Sequence, residues 1–204
     1  MPTNAPMIEL PLFPLKTVLL PGNTLSLKIF EPRYIDMIAN CMREASNFGI
    51  ILIYKGEETQ SNSEIHSVGT IANIYDWQDR NDGLLGITAL GMHRFEIEKT
   101  RTQADGLTIA TITILDEEIK KVVPAQYLYM QELLEHISQQ EATIFNPDHG
   151  FAQILYQLIY LLPLDSNLKQ RLLEVPKCLD RAVILHAELI RLGIIQYHKP
   201  DPEA

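Results

Sequence analysis

The tripeptide His186-Ala187-Glu188 has the spacing of a catalytic signature, since zinc deaminases combine a metal-binding histidine with a glutamate that transfers protons. That chemistry also needs a downstream pair of cysteines separated by two residues, which completes the zinc site. The sequence contains only Cys41 and Cys178, and both precede His186. We therefore predict that His186 is an ordinary residue of a helix face and that the protein has no metal site.

Phosphate-binding and hydrolase motifs are also absent from the 204 residues. No glycine is followed by lysine, as the phosphate-binding GxxxxGK[ST] loop requires, and no GxG or GxSxG pattern occurs. We therefore expect a protein without a cofactor and without catalytic residues. One alternative stays open, a cryptic hydrolase in which distant residues such as Glu31, Arg33 and Arg94 meet in a cavity.

Charge and composition restrict the partners and the compartment. The formal net charge is −9 and the basic residues are scattered, which disfavours nucleic acid because its phosphates repel an acidic surface. Two cysteines are too few for a disulfide-stapled secreted domain. The sequence shows no export signal and no apolar run of about 18 residues. We therefore expect a cytoplasmic protein with no membrane segment.

The first half of the chain is divided into short segments with the pattern of β-strands. Leu25–Ile29 alternates apolar and polar residues, as a strand with one buried face does, and Gly49–Tyr54 is a continuous apolar run of buried-strand length. Turn residues such as Gly91 separate the segments. This pattern predicts a small barrel or folded sheet within residues 1–118. The other predicted strands are Val68–Tyr75, Leu84–Leu90, Arg94–Lys99 and Leu107–Leu115.

One helix is expected inside this strand region, over residues 32–45. Proline is favoured at its first position, occupied by Pro32, because that residue needs no N–H donor. Helical spacing then places one set of apolar residues on a single face, which we expect to pack in the core. That set is Tyr34, Ile35, Ile38, Cys41, Met42 and Ala45.

From Pro124 onward the apolar residues recur with helical spacing. Four helices are predicted, the last ending at Leu192 with Gly193 as its C-cap. Because strands and helices fall in separate halves, the expected class is α+β, with a four-helix subdomain over residues 119–197 and a disordered tail over 198–204. The predicted helices are Pro124–Glu141, Pro147–Leu162, Ser166–Glu174 and Pro176–Leu192.

Three consecutive segments resemble the opening of the Lon N-terminal domain family in both order and spacing. They are Glu9–Leu15 (ELPLFPL), Val18–Gly22 (VLLPG) and Leu27–Tyr34 (LKIFEPRY). The resemblance continues through Val68–Ala72 and Gly91–Ile97 and into the helical half at Leu161–Leu164. It covers nearly the whole chain.

The resemblance implies a PUA-like β-domain followed by a helical bundle. In Lon proteases this domain recognises protein substrates and supports assembly. The 204 residues include neither the ATPase module nor the Ser-Lys peptidase module of a full-length Lon enzyme, so we expect a free-standing recognition module. The expected partners are unfolded or degradation-bound polypeptides, and a separate Lon protease is a further candidate. RNA or small-ligand binding is the alternative that a PUA-like fold suggests.

Residues of the shared motifs are expected to determine the fold. Proline and glycine act first on backbone geometry, so Pro21 and Gly22 indicate a turn. Arg33 lies in the first helical turn, where the helix dipole disfavours a cation, and we therefore expect a carboxylate partner such as Glu31. The other motif residues in this group are Pro32, Tyr34, Gly69, Gly91, Arg94 and Phe95.

Three aromatic residues of the strand region are candidate anchors for a bound peptide. They are Tyr54, Tyr75 and Trp77, and the reason is that aromatic side chains supply large, rigid contact area. Core packing is the competing interpretation for each of them. The binding groove or apolar patch is accordingly expected on the strand region.

Overall fold

The computed structural model describes residues 8–59, 63–79, 84–116, 122–141 and 150–196. One helix lies among the strands and the other helices follow them, so the expected α+β class is confirmed. The strands are β1 (Ile8–Leu15), β2 (Thr24–Ile29), β3 (Phe48–Lys55), β4 (Glu64–Ile65), β5 (Val68–Asp79), β6 (Leu85–Thr102) and β7 (Thr108–Ile114). The helices are α1 (Pro32–Glu44), α2 (Leu128–Glu141), α3 (Phe151–Leu161), α4 (Ser166–Glu174) and α5 (Cys178–Arg191), with a short 3-10 turn, Ala125–Tyr127, before α2.

Five strands of the seven-stranded sheet form a closed ring. Their pairings run from β1 to β7, β6, β5 and β3, and β3 pairs again with β1. The contact between β1 and β3 is parallel, and the other pairings of the described strands are antiparallel. Strands β2 and β4 are attached to β6 and β3 respectively. Each strand of the ring has two neighbours, whereas β2 and β4 are each paired along one edge only among the described strands.

The predicted strands omit β1, whose two prolines, Pro11 and Pro14, interrupt the strand pattern. In the structure residues 8–11 pair with β7 and residues 12–15 pair with β3. Each half of β1 therefore has one neighbour and one free edge. Proline has no N–H to donate and is tolerated where that position faces a free edge. Two prolines thus fit a strand that changes its partner halfway.

Strand β6 replaces two predicted strands, Leu84–Leu90 and Arg94–Lys99. The predicted break between them at Gly91 is wrong. The structure has a single strand with Gly91 inside it. The N–H of Gly91 donates to the Asn23 carbonyl (2.9 Å), and its own carbonyl accepts from the Gly22 N–H (2.8 Å). A Cβ at position 91 would lie 2.4 Å from the Leu20 carbonyl oxygen. This glycine therefore permits a close backbone crossing and does not form a turn.

Helix α1 agrees with its predicted range to within one residue. Pro32 lies in its first turn, and Ala45 ends the helix in the left-handed conformation with a φ of 49°. Met42 and Ala45, which were expected in the core, are exposed, whereas Met37 is buried. The difference arises because the buried stripe follows residues 33, 34, 37, 38 and 41 and ends before the last turn.

Helices α2 to α5 overlap the four predicted helices. Their buried apolar residues share one core with Val18, Leu20, Leu52 and Val68 of the strand half. The helices therefore pack directly against the strands. The predicted boundary at residue 118, the predicted helix start at Pro147 and the tail over 198–204 lie outside the described residues.

The described helices are short. The longest two, α2 and α5, have 14 residues each, whereas a membrane span needs about 20. Within the described ranges, no helix is both long enough and apolar enough to cross a membrane.

Two buried arginines hold the carboxyl end of α4. Arg94 of β6 donates to the carbonyl groups of Leu173 (2.9 Å) and Val175 (3.2 Å). Arg181 of α5 donates to the carbonyl groups of Leu172 (2.9 Å) and Val175 (2.8 Å). The last carbonyls of a helix have no partner within it and carry partial negative charge, so cations are stabilised there. Strand β6 and helices α4 and α5 are thereby joined at one point.

We expect Arg94→Leu to destabilise the protein by about 3 kcal/mol, because buried carbonyl groups lose a charged donor. Equilibrium denaturation followed by circular dichroism measures this change. Arg101→Leu is the matched control, since Arg101 lies on the same strand but is exposed and pairs with the exposed Glu9; it should leave stability unchanged. Equal losses for the two variants would contradict the role assigned to the buried hydrogen bonds.

Candidate functional site

Strand β2 has one paired edge and one free edge. All six of its residues pair with β6, from Thr24 opposite Leu90 to Ile29 opposite Leu85. Its second edge pairs with no other strand in the part of the chain that the structure describes. A free edge presents a row of backbone N–H and C=O groups that can pair with an extended chain. It is therefore a candidate binding element.

A groove of about 380 Å³, here called the β2 groove, runs beside this strand. Its apolar lining includes Leu25 and Leu27 of β2, Phe13 of β1 and Tyr34 of α1. The rings of Phe13 and Tyr34 are stacked with their centroids 4.2 Å apart, which gives the groove a rigid aromatic wall. Phe30, directly after β2, also lines the groove and is 60% exposed. Apolar contact area thus lies next to a free strand edge.

A row of apolar side chains extends from β2 across two neighbouring strands. Leu27 pairs with Ile87 of β6, and Ile87 pairs with Trp77 of β5. Directly paired residues project from the same face of a sheet, so these three side chains are neighbours. A second cavity, of about 210 Å³, touches all three, but most of its lining is the residues that alternate with them along the strands, among them Ser26, Thr88 and Gln78. The row connects Trp77 to the strand that borders the β2 groove.

Charged groups are few in the β2 groove. Lys28 is exposed, and Glu31 is ion-paired with Arg33. Glu58 accepts a hydrogen bond from the backbone N–H of Lys16 (2.6 Å) and forms no ion pair with a described residue. The end of the groove beside Glu58 is therefore acidic.

Arg33 has the carboxylate partner that its position in the helix predicts. Its side chain is 8% exposed, and Nη2 lies 2.8 Å from the Glu31 carboxylate, which confirms the expected pair. Nη1 donates to the Gly106 carbonyl (3.0 Å), and the guanidinium carbon lies 4.6 Å from the centroid of the Tyr34 ring. Burial raises the pKa of Tyr34 to about 12, so this ring stays neutral. The arginine joins the start of α1 to the β6–β7 turn.

The three aromatic residues predicted as anchors occupy different places. Trp77, 53% exposed, lines the cavity beside β2, whereas Tyr75, 70% exposed, lines neither of the two cavities described above. The hydroxyl of Tyr54 donates to Glu64 (2.5 Å). This hydrogen bond raises the pKa of Tyr54 and lowers the pKa of Glu64. Of the three, Trp77 alone lines a cavity next to β2, none of the three lines the β2 groove, and the binding role of each stays a prediction.

Several motif residues lie in the turn and strands that position β2. Pro21 is buried, and its carbonyl accepts a hydrogen bond from the side chain of Gln153 in α3 (3.1 Å). Gly22 has a φ of +74°, which favours glycine. Gly69 of β5 pairs with the fully buried Phe95 of β6. Their roles as fold determinants stay predictions.

The residues considered for catalysis are not brought together. Nδ1 of His186 lies 2.6 Å from the Tyr129 hydroxyl, between α5 and α2. Among the described residues, no three His, Cys, Asp or Glu side chains form a group that could hold a metal. Glu31 and Arg33 form their own pair, while Arg94 binds the carbonyl groups of α4.

The sequence patterns did not identify the lining of the β2 groove. The alternation of Leu25–Ile29 predicts a strand with one buried face, but nothing local indicates that its second edge has no neighbour. Phe13 and Phe30 lie within the family motifs, and their pattern carries no information on exposure. The groove emerges only when β1, β2 and α1 are in place.

Comparisons with known proteins agree with this fold. A family model described as the ATP-dependent protease La (LON) substrate-binding domain matches residues 9–191. The crystal structure of a Lon N-terminal domain protein from Xanthomonas campestris is similar with a TM-score of 0.77 and 30% identity, over 88% of this chain and 98% of that one.

Two longer relatives are similar over part of their length. Protein cereblon of Danio rerio is 30% identical over 146 residues, which cover 68% of this chain and 33% of that protein. Lon protease of Flavobacterium johnsoniae is 29% identical over 113 residues, which cover 54% of this chain and 14% of that protein. The chain thus spans a third or less of these two relatives.

We expect Arg33→Ala to destabilise the protein by about 1–3 kcal/mol, because Glu31 and the Gly106 carbonyl lose a partner at a largely buried site. Urea denaturation measures the loss. Arg43→Ala serves as the control on the same helix, since Arg43 is exposed. Unchanged stability of Arg33→Ala, combined with lost peptide binding, would reassign Arg33 from folding to recognition.

Proposed function

The chain belongs to the Lon substrate-binding domain family, and from this premise we propose that the β2 groove binds polypeptide segments without catalysing a reaction. The observation that carries the proposal is the junction of a free strand edge with an apolar groove. Main-chain pairing with a sheet edge, combined with pockets for alternate side chains, is one means by which folded domains bind extended peptides. The geometry supplies both at one place.

The proposal extends to the biological setting of the protein. Its clients are unfolded or degradation-bound polypeptides, which it binds in the cytoplasm as an adaptor or client binder. A separate Lon protease is the candidate downstream partner. The closed ring of strands supports the PUA-like classification of the strand half, and the shared core of α2 to α5 supports treating residues 119–197 as a helical subdomain packed on it.

The affinity should be modest. A flexible segment loses conformational freedom when it binds, which offsets part of the favourable contact energy. We therefore expect a dissociation constant of about 1 μM, which corresponds to about −8 kcal/mol. Because most of the lining is aliphatic or aromatic, salt should change the affinity little.

Fluorescence anisotropy with labelled apolar, unstructured peptides tests the proposed site. Phe30→Ala should weaken binding about 30-fold, the loss of one aromatic contact of about 2 kcal/mol, because the exposed Phe30 lines the β2 groove. Tyr75→Ala is the matched control, because Tyr75 is a similarly exposed aromatic residue that lines neither cavity. It should bind like the wild-type protein.

Three outcomes would contradict the proposal: no saturable binding, binding abolished by high salt, or equal effects of the two substitutions. The first would remove polypeptide recognition as the function. The second would assign binding to long-range charge, and the third would place the peptide away from β2.

Purified protein should show neither ATP turnover nor peptidase activity. The 204 residues contain no GxxxxGK[ST] loop and no GxSxG motif. A phosphate-release assay and cleavage of a fluorogenic casein substrate provide the two measurements. Turnover that persists through purification and is lost in Glu31→Gln or Arg33→Lys would instead support the cryptic hydrolase.

A further inference from the structure

The free edge of β2 offers backbone hydrogen-bonding groups, whatever its side chains are. In an antiparallel pair, alternate residues direct their N–H and C=O groups to the partner strand and the residues between them direct theirs away. The six residues of β2 therefore direct the backbone groups of three residues to β6 and those of three others to the free edge. This edge borders the β2 groove, whose lining includes Leu25, Leu27 and Ile29.

We propose that a client binds in an extended conformation, as an additional strand along the free edge of β2. The inference rests on the proposed polypeptide-binding function and specifies the conformation and sequence class of the client. An added strand would form main-chain hydrogen bonds with β2 at every second residue. With a rise of about 3.3 Å per residue, the contact would cover about six residues, or about 20 Å.

The faces of β2 define the client's side-chain pattern. Leu25 and Leu27 are half-buried and Ile29 is buried, whereas Ser26 and Lys28 are exposed. Side chains of an added strand continue the faces of the sheet, so every second one enters the groove beside Leu27 and the row that leads to Trp77. The client therefore alternates apolar and polar residues.

The charged groups of the groove determine which charge the client should carry. Glu58 lines the groove without an ion pair among the described residues, the Glu31–Arg33 pair is internally neutral, and the whole chain carries a net charge of −9. Exposed Lys28 lies on the polar face of β2. A lysine or arginine at the end of the client beside Glu58 would therefore be favoured, and an acidic residue there disfavoured.

A scan of N-methylated peptides tests strand addition. The probe is a labelled twelve-residue peptide, with alternating valine and threonine in its six central positions and one flanking lysine, made as the parent and as six variants that each carry one N-methyl amide. N-methylation removes one N–H donor and leaves the side chain in place. Strand addition predicts about tenfold weaker binding at every second position and less than about twofold change between them.

The scan distinguishes a failure of strand addition from a failure of the proposed polypeptide-binding function on which strand addition rests. Six near-equal affinities, with parent binding still weakened in Phe30→Ala, would overturn strand addition while the groove remained a binding site. Binding of disordered clients but not of the parent peptide would also overturn it. Absence of both kinds of binding would refute the proposed function itself.

Two variants of the protein test the preference for a basic client. Glu58→Gln keeps an acceptor for the Lys16 N–H, so folding should be retained. It should weaken binding of the lysine peptide about threefold and leave an analogue with norleucine in place of lysine unchanged. Glu57→Gln is the control, since Glu57 neighbours Glu58 but does not line the groove and pairs with the Lys16 side chain. Equal effects of the two variants would overturn the basic-client assignment.

A second copy of the chain is the competing occupant of the edge. Light scattering after size exclusion should show a monomer that the parent peptide does not change. A dimer that persists when the peptide is added and does not bind it would assign the edge to self-association and would overturn the client proposal.

Discussion

The close crossing of two backbone segments at Gly91 determines where the groove forms. Strand β5 pairs along one edge of the long strand β6, whereas β2 and β7 divide its other edge between them. The turn from Leu20 to Asn23 crosses β6 at the division, where a Cβ would meet the Leu20 carbonyl. Because β2 begins directly after this turn, the crossing sets its register on β6 and leaves β2 outside the closed ring. The free edge is a consequence of that placement.

The helical half supports the same turn from the other side. Gln153 of α3 donates to the Pro21 carbonyl, and Thr70 of β5 donates to the Leu19 carbonyl (2.7 Å). Arg94, three residues after Gly91 on β6, binds the end of α4. Strand β6 therefore connects the helices to the turn, and the turn to β2. A change in helix packing would reach the groove through the position of β2, although α2 to α5 contribute none of its lining.

Sequence reasoning was most successful where local pattern and local structure coincide. The alternation in Leu25–Ile29, the proline at the start of α1 and the opposed dipole at Arg33 each predicted what the structure shows. It failed where distant pairing decides the outcome. Gly91 is of a residue type common in turns, but it lies within a strand because another segment crosses it. Strand β1 tolerates prolines because it changes its pairing partner halfway. The groove is the extreme case, since its defining property is a strand edge that no described strand covers.

An unpaired strand edge exposes a protein to uncontrolled association, so its surroundings must restrict what binds. Backbone hydrogen bonds are the same for every client sequence and confer no selectivity alone. In this protein β2 is six residues long and carries the exposed Lys28, two features that limit indiscriminate edge pairing. In the proposed binding mode, the stacked rings of Phe13 and Tyr34 and the carboxylate of Glu58 would require that an incoming chain match both shape and charge. On this proposal, selectivity resides in the walls of the groove, while the edge of β2 supplies the general attraction for an extended chain.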